Sequence, residues 1–126
     1  MTNDRATNDL MKDALDEFIW DLFWTDDLGL WELTWMAAGR TGQDASSLVS
    51  WARSALPPLE RQGFVRLSVA SWPAMKPKRR LSASDREVLA REDPPWYDPK
   101  TASLLVLAQA SGDPPIARED RPWTLN

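Results

Sequence analysis

The 126-residue chain contains neither cysteine nor histidine. Without cysteine there is no disulfide framework, and without either residue type a structural zinc site is not expected, because such sites are built from these two side chains. The absence of histidine removes the group that most readily transfers protons near neutral pH, so serines such as Ser50 have no histidine to activate them. The acidic side chains match no metal-site or phosphate-loop motif. We therefore predict a protein that is not an enzyme and that uses no cofactor and no metal.

Long hydrophobic runs are also missing. The longest apolar stretch, 102–108, suits a strand and falls far short of the roughly 20 residues that cross a bilayer. The first five residues lack the charged and apolar regions of a secretory signal. These absences predict a cytoplasmic protein that does not enter a membrane.

Tryptophan, in contrast, is abundant, with eight residues in the chain. Two pairs, Trp20/Trp24 and Trp31/Trp35, have the four-residue spacing that places side chains on one face of a helix. Core packing explains part of this set, but a small domain has limited room for eight indoles, and exposed tryptophans are frequent at binding hot spots. The proline-rich segment 93–99 is expected to hold two further aromatic rings at the surface. The candidate protein-binding residues are Trp20, Trp24, Trp96 and Tyr97.

The net charge of −4 is unevenly distributed along the chain. Residues 1–36 carry −7, residues 37–91 carry +6 and residues 92–126 carry −3. The basic middle has two interpretations: it faces an anionic partner, or it neutralises the protein's own acidic first helix. If the partner is DNA, phosphate contacts are expected from the run at 76–80 and from the third helix. The candidate nucleic-acid-binding residues are Arg53, Lys76, Lys78, Arg79 and Arg80.

The hydrophobic periodicity predicts one mainly helical α+β domain spanning 1–126, with its core at about 8–111 and a polar tail at 112–126. An amphipathic helix is predicted at 8–24 and a second helix at about 28–38, closed by Gly39. A third helix starts after Asp44, is kinked or restarted at Pro57-Pro58, and ends at Gly63. Strands are predicted at 64–70 and 102–110, in a two- or three-stranded antiparallel sheet. Between them lies a long loop with a short helix at about 85–91, for which Ser84 and Glu87 form a capping box.

Three helices, a strand, an insertion and a returning strand form an order that resembles the winged helix-turn-helix family. The stretch that carries this resemblance best is Leu59-Glu60-Arg61-Gln62-Gly63-Phe64-Val65-Arg66-Leu67, where the third helix leads through glycine into a strand. The resemblance implies a three-helix core with a small sheet. Pro57-Pro58 and the length of the loop 71–101 depart from the family pattern.

Two functions remain open at this point. One is a non-catalytic protein-interaction module of the inhibitor, immunity or adaptor type, favoured by the surplus of tryptophans, the stiff proline-rich loop at 94–99 and the acidic first helix. The other is a winged-helix DNA-binding transcriptional regulator, favoured by the resemblance and the basic middle. The helix 8–24 also offers a surface through which two copies can form a homodimer.

Overall fold

The computed structural model describes residues 4–25, 27–71 and 74–111, and in these ranges the chain forms four α-helices and four β-strands. The predicted polar tail lies outside the described residues. None of the described helices is both long and apolar enough to cross a lipid bilayer. The predicted α+β, mainly helical fold is confirmed. The elements are α1 (Asp4–Trp24), β1 (Leu28–Gly29), α2 (Trp31–Thr41), α3 (Val49–Gln62), β2 (Val65–Ala70), β3 (Arg79–Arg80), α4 (Ala83–Arg91) and β4 (Leu105–Ala110).

The four strands form one antiparallel sheet in the order β1-β4-β2-β3. Its centre is the pair β2 and β4, which runs in register from Val65 opposite Ala110 to Ala70 opposite Leu105. The sheet is larger than the two or three strands predicted from the sequence. The two additional strands have two residues each, so neither contains enough alternation to produce a sequence signal.

Both faces of the sheet are buried. Alternate residues of β2 and β4, including Val65, Leu67 and Val106, join the main core with buried residues of all four helices. The opposite face carries a smaller apolar cluster of Trp31, Ala70, Leu105 and Leu107. Because successive side chains of a strand point to opposite faces, the predicted alternation in β2 produces this division.

The bounds of α1 and α2 differ from the sequence prediction. α1 begins at Asp4 rather than at residue 8, and α2 covers Trp31–Thr41 rather than 28–38. Gly39 lies inside α2, while Gly42 ends it in the left-handed conformation, with φ of 76°. Gly63 ends α3 in the same conformation, with φ of 87°, as predicted. The left-handed conformation at this position is the usual reason for a glycine.

Of the kink or restart predicted at the two prolines of α3, the restart does not occur. α3 continues from Val49 through Pro57 and Pro58 to Gln62. Leu56 and Leu59, on either side of the prolines, are both almost completely buried in the same core. We attribute the continuity of the helix to this shared packing, which offsets the loss of two amide donors.

The long insertion between β2 and β4 packs on the core rather than extending from it. The predicted short helix is confirmed as α4, and its buried Leu89 joins the main cluster. The capping box is formed by Ser82 and Asp85, not by Ser84 and Glu87. After α4, a single 3-10 turn at Pro94–Trp96 returns the chain towards β4.

Candidate interaction surfaces

The outer face of α1 carries two of the tryptophans predicted to bind protein. At 100° per residue, Trp20 and Trp24 lie opposite the buried stripe that contains Phe18 and Leu22. Trp24 is 65% exposed, whereas Trp20 is half-buried against the main core. Their ring centroids are 6.2 Å apart with an interplanar angle of 56°, a geometry typical of favourable aromatic pairs. Trp20 thus supports the position of the more exposed ring.

A second exposed indole, that of Trp35 on α2, was missed as a site residue in the sequence analysis. Trp35 is 49% exposed, and its Nε1–H donates a hydrogen bond to the backbone carbonyl of Tyr97 at 2.8 Å. Tyr97 itself is half-buried against the main core. The paired spacing of Trp31 and Trp35 was the available signal, but Trp31 is buried on the far face of the sheet. We call Trp24 and Trp35 the exposed indoles.

Acidic side chains precede Trp20 and Trp24 on the same face of α1. Asp9 and Asp13 are exposed there, and Glu17 accepts a hydrogen bond from Arg40 on α2 at 2.7 Å. The Glu17 carboxylate raises the pKa of Arg40 above its ordinary value through this hydrogen bond. The outer face of α1 therefore combines negative charge with an exposed aromatic ring.

Trp96 is not at the surface, so the prediction that it lies exposed was wrong. It is 3% exposed, and its Nε1–H donates to the carbonyl of Leu89 at 2.9 Å. Its own carbonyl accepts a hydrogen bond from the hydroxyl of buried Thr34 at 2.6 Å. These contacts join α4, the 94–96 turn and α2. The prolines that suggested a stiff exposed loop instead turn the chain so that the indole enters the core.

Arg53 is also engaged inside the protein rather than presented to a ligand. Its guanidinium donates to the carbonyls of Leu89 and Glu92, at 2.9 and 3.0 Å, and to the Asp93 carboxylate at 3.0 Å. It also lies over the Trp96 ring, 5.8 Å from the centroid. A cation at the C-terminal end of α4 is favoured by the helix dipole. The inserted segment thus occupies the part of α3 that was expected to contact phosphates.

The basic run at 76–80 lies on the hairpin of β2 and β3. The Lys78 amide donates to the Val69 carbonyl at 2.8 Å, and Arg79 pairs with Asp85 at 2.5 Å. The Arg79 guanidinium, helped by the backbone amide of Ser82, holds the pKa of the Asp85 carboxyl well below its ordinary value. Within the described ranges, the exposed cations that form no ion pair on this hairpin are Lys76, Lys78 and Arg80.

The ion pairs test how the basic middle is neutralised. Four side-chain pairs join described residues: Arg40–Glu17, Arg53–Asp93, Arg79–Asp85 and Arg86–Glu60. The first of these reaches the acidic helix α1, and the other three are made with acids of α3 or of the insertion. Among these four pairs, charge compensation therefore takes place chiefly around the insertion, while Asp9 and Asp13 of α1 are exposed to solvent.

Comparison with known proteins gives no relative from which a role can be transferred. A scan against models of protein families, a search of curated proteins and a search of solved structures each returned no match. The candidate surfaces therefore rest on the geometry described above.

Proposed function

We propose that this protein is a non-catalytic protein-interaction module, of the inhibitor, immunity or adaptor type, on a winged-helix-like scaffold. The observation that carries the proposal is the exposure of two indoles, Trp24 and Trp35, on neighbouring helices that are packed together. Tryptophan is a large apolar side chain that is enriched among the few residues dominating interface affinity. Both rings are supported, one by Trp20 and the other by the Tyr97 carbonyl. Such support lowers the entropy lost when a partner binds.

Charge defines the chemistry of the partner. Asp9 and Asp13 are exposed on the face of α1 that ends in Trp24. A complementary partner presents basic side chains around an apolar patch, because matched potentials accelerate association and reject partners of the same charge. The proposed ligand is therefore a basic, partly apolar protein surface.

The scaffold supports the same proposal. The order of α1, α2, α3, β2, insertion and β4 is the order on which the winged-helix resemblance depends. In this chain, however, the insertion packs against α3 and engages Arg53. An α3 covered in this way has little room to enter a DNA groove, which favours a protein partner over DNA.

The experiment is a comparative affinity capture with the tagged full chain from a lysate of the producing organism, quantified by mass spectrometry. The variant Trp24→Ser/Trp35→Ser removes both exposed indoles, and the variant Lys76→Gln/Lys78→Gln is the control for an unrelated surface change. We expect one partner to be enriched by the wild type and by the control, and at least tenfold less by the double tryptophan variant. Equal enrichment by all three proteins would contradict the proposal.

A second candidate function, DNA binding by a winged-helix regulator, is favoured by the exposed cations of the hairpin. Lys76, Lys78 and Arg80 are free of ion pairs in the described ranges, and 64–84 contains no acidic residue. Three phosphate contacts predict that affinity for random-sequence duplex falls about 40-fold between roughly 50 and 200 mM salt. Tryptophan fluorescence can follow this titration, with Lys76→Gln/Lys78→Gln as the variant that should flatten the salt dependence. Absence of binding at the lower salt concentration would exclude this candidate.

A further inference from the structure

A cavity of about 420 Å³ lies at the open edge of the sheet, where the end of α3 meets β2, β3 and α4. β3 pairs only with Ser68 and Val69, so it does not cover the first half of β2. The cavity occupies this uncovered part of the edge. Gly63, which has no side chain, also lines it.

Three arginines, Arg66, Arg80 and Arg86, line the cavity together with one acid, Glu60. The guanidinium of Arg86 donates two hydrogen bonds to the Glu60 carboxylate, at 3.0 and 3.3 Å, and this hydrogen bonding raises the pKa of Arg86. Arg66 and Arg80 form no ion pair within the described ranges. The charged groups of the lining therefore leave two positive charges unbalanced.

The strand register places these two arginines near each other. Arg80 lies opposite Ser68 in the pairing of β2 with β3, and Arg66 precedes Ser68 by two residues on the same face of β2. Diagonal neighbours of this kind are separated by about 7–8 Å at their backbones, which long side chains can bridge. Two like charges so placed repel each other unless an anion lies between them.

We propose that this cavity binds an oxyanion group, a carboxylate or a phosphate, between Arg66 and Arg80, with Arg86 as the third wall. The guanidinium group suits this role because its planar donors match two oxygens of a carboxylate or phosphate at once. The site is separate from the exposed indoles, since none of its lining residues belongs to α1 or α2. It thus gives the protein a second ligand that does not depend on the proposed protein interface.

The test is isothermal titration calorimetry of the full chain with two probes, inorganic phosphate and succinate, at low ionic strength and pH 7. The variants Arg66→Gln and Arg80→Gln each remove one unpaired charge, and Arg91→Gln is the matched control, because Arg91 is exposed on α4 and does not line the cavity. Far-UV circular dichroism verifies that each variant is folded. We expect saturable binding of at least one probe to the wild type. The affinity for that probe should fall about tenfold or more in each cavity variant and should stay within twofold of the wild type in the Arg91→Gln control.

The pattern across probes identifies the ligand class. Binding of phosphate alone assigns a phosphate group, and binding of succinate alone assigns a carboxylate. Failure of both probes to saturate by about 50 mM, or equal affinities of Arg66→Gln, Arg80→Gln and Arg91→Gln, would overturn the assignment. Arg66 lies outside the basic run, so duplex binding through Lys76 and Lys78 is expected to survive Arg66→Gln, which separates this site from the second candidate function.

Discussion

Replacement of Trp96 is expected to destabilise the fold strongly, because this side chain joins the insertion to the core. The indole is 3% exposed and is hydrogen-bonded to Leu89. Truncation of a buried tryptophan to alanine costs about 3–5 kcal/mol. That is a large fraction of the roughly 5–15 kcal/mol by which a domain is stable. Trp96→Ala is therefore expected to remove a large part of the free energy of unfolding.

The variant Trp96→Phe keeps the measurement possible if the alanine variant does not fold. Phenylalanine retains an aromatic ring but loses the Nε1–H donor. The Leu89 carbonyl is not left unsatisfied, because Arg53 Nε also donates to it at 2.9 Å. The loss is therefore close to that of one hydrogen bond and a small void, about 1–2 kcal/mol in the free energy of unfolding.

Urea denaturation followed by circular dichroism measures both variants on one scale. Trp24→Ala is the control, because Trp24 is 65% exposed and its loss is expected to cost less than about 1 kcal/mol. Unfolding of Trp96→Ala at the same urea concentration as Trp24→Ala would refute the structural role of the buried indole. A Trp96→Phe variant as stable as the wild type would refute the contribution of its Nε1–H hydrogen bond.

Two further predictions concern a close contact and a charge. A Cβ at Gly29 would overlap ring atoms of Trp31, so Gly29→Ala is expected to lower the free energy of unfolding by about 1–3 kcal/mol. Its control is Gly39→Ala within α2, where an added Cβ meets no atom within 4 Å. This variant is expected to raise the free energy of unfolding by about 0.5–1 kcal/mol. A higher thermal unfolding temperature for Gly29→Ala than for Gly39→Ala would contradict this prediction. Because Arg79 lowers the pKa of Asp85 in the folded state, the stabilisation from this carboxylate is present above its unfolded pKa of about 3.9 and is lost as the pH falls below it. The difference in unfolding free energy between wild type and Asp85→Asn should therefore shrink below about pH 4, and a difference that stays constant from pH 7 to pH 2 would disprove the assignment.

Local patterns predicted the elements that have strong periodicity or a specific end signal. The apolar stripe of α1, the alternation of β2 and the glycine stop at Gly63 are all properties of neighbouring residues. The two-residue strands β1 and β3 lack such a pattern, since they exist only because β4 and β2 lie beside them. Sequence reasoning had no means to detect them.

The exposure of individual tryptophans depended on distant residues. Trp96 is buried because Thr34, 62 positions earlier, binds its carbonyl and because α4 supplies the Leu89 acceptor. The Arg53 side chain is held inside the protein by hydrogen bonds to acceptors 36 to 40 positions later in the chain. Local composition indicated an exposed proline-rich loop and a basic middle segment, and neither indication contains the tertiary contacts that decide which side chains reach solvent.

The most direct test of the interaction surface is the affinity of the captured partner for purified variants, measured by isothermal titration calorimetry. If the exposed indoles are hot spots, Trp24→Ala and Trp35→Ala each weaken binding by about 2 kcal/mol or more, which is roughly 30-fold in the dissociation constant. Lys76→Gln/Lys78→Gln should leave the affinity within twofold of the wild type. Affinities that are unchanged by both tryptophan substitutions would contradict the assignment of this surface.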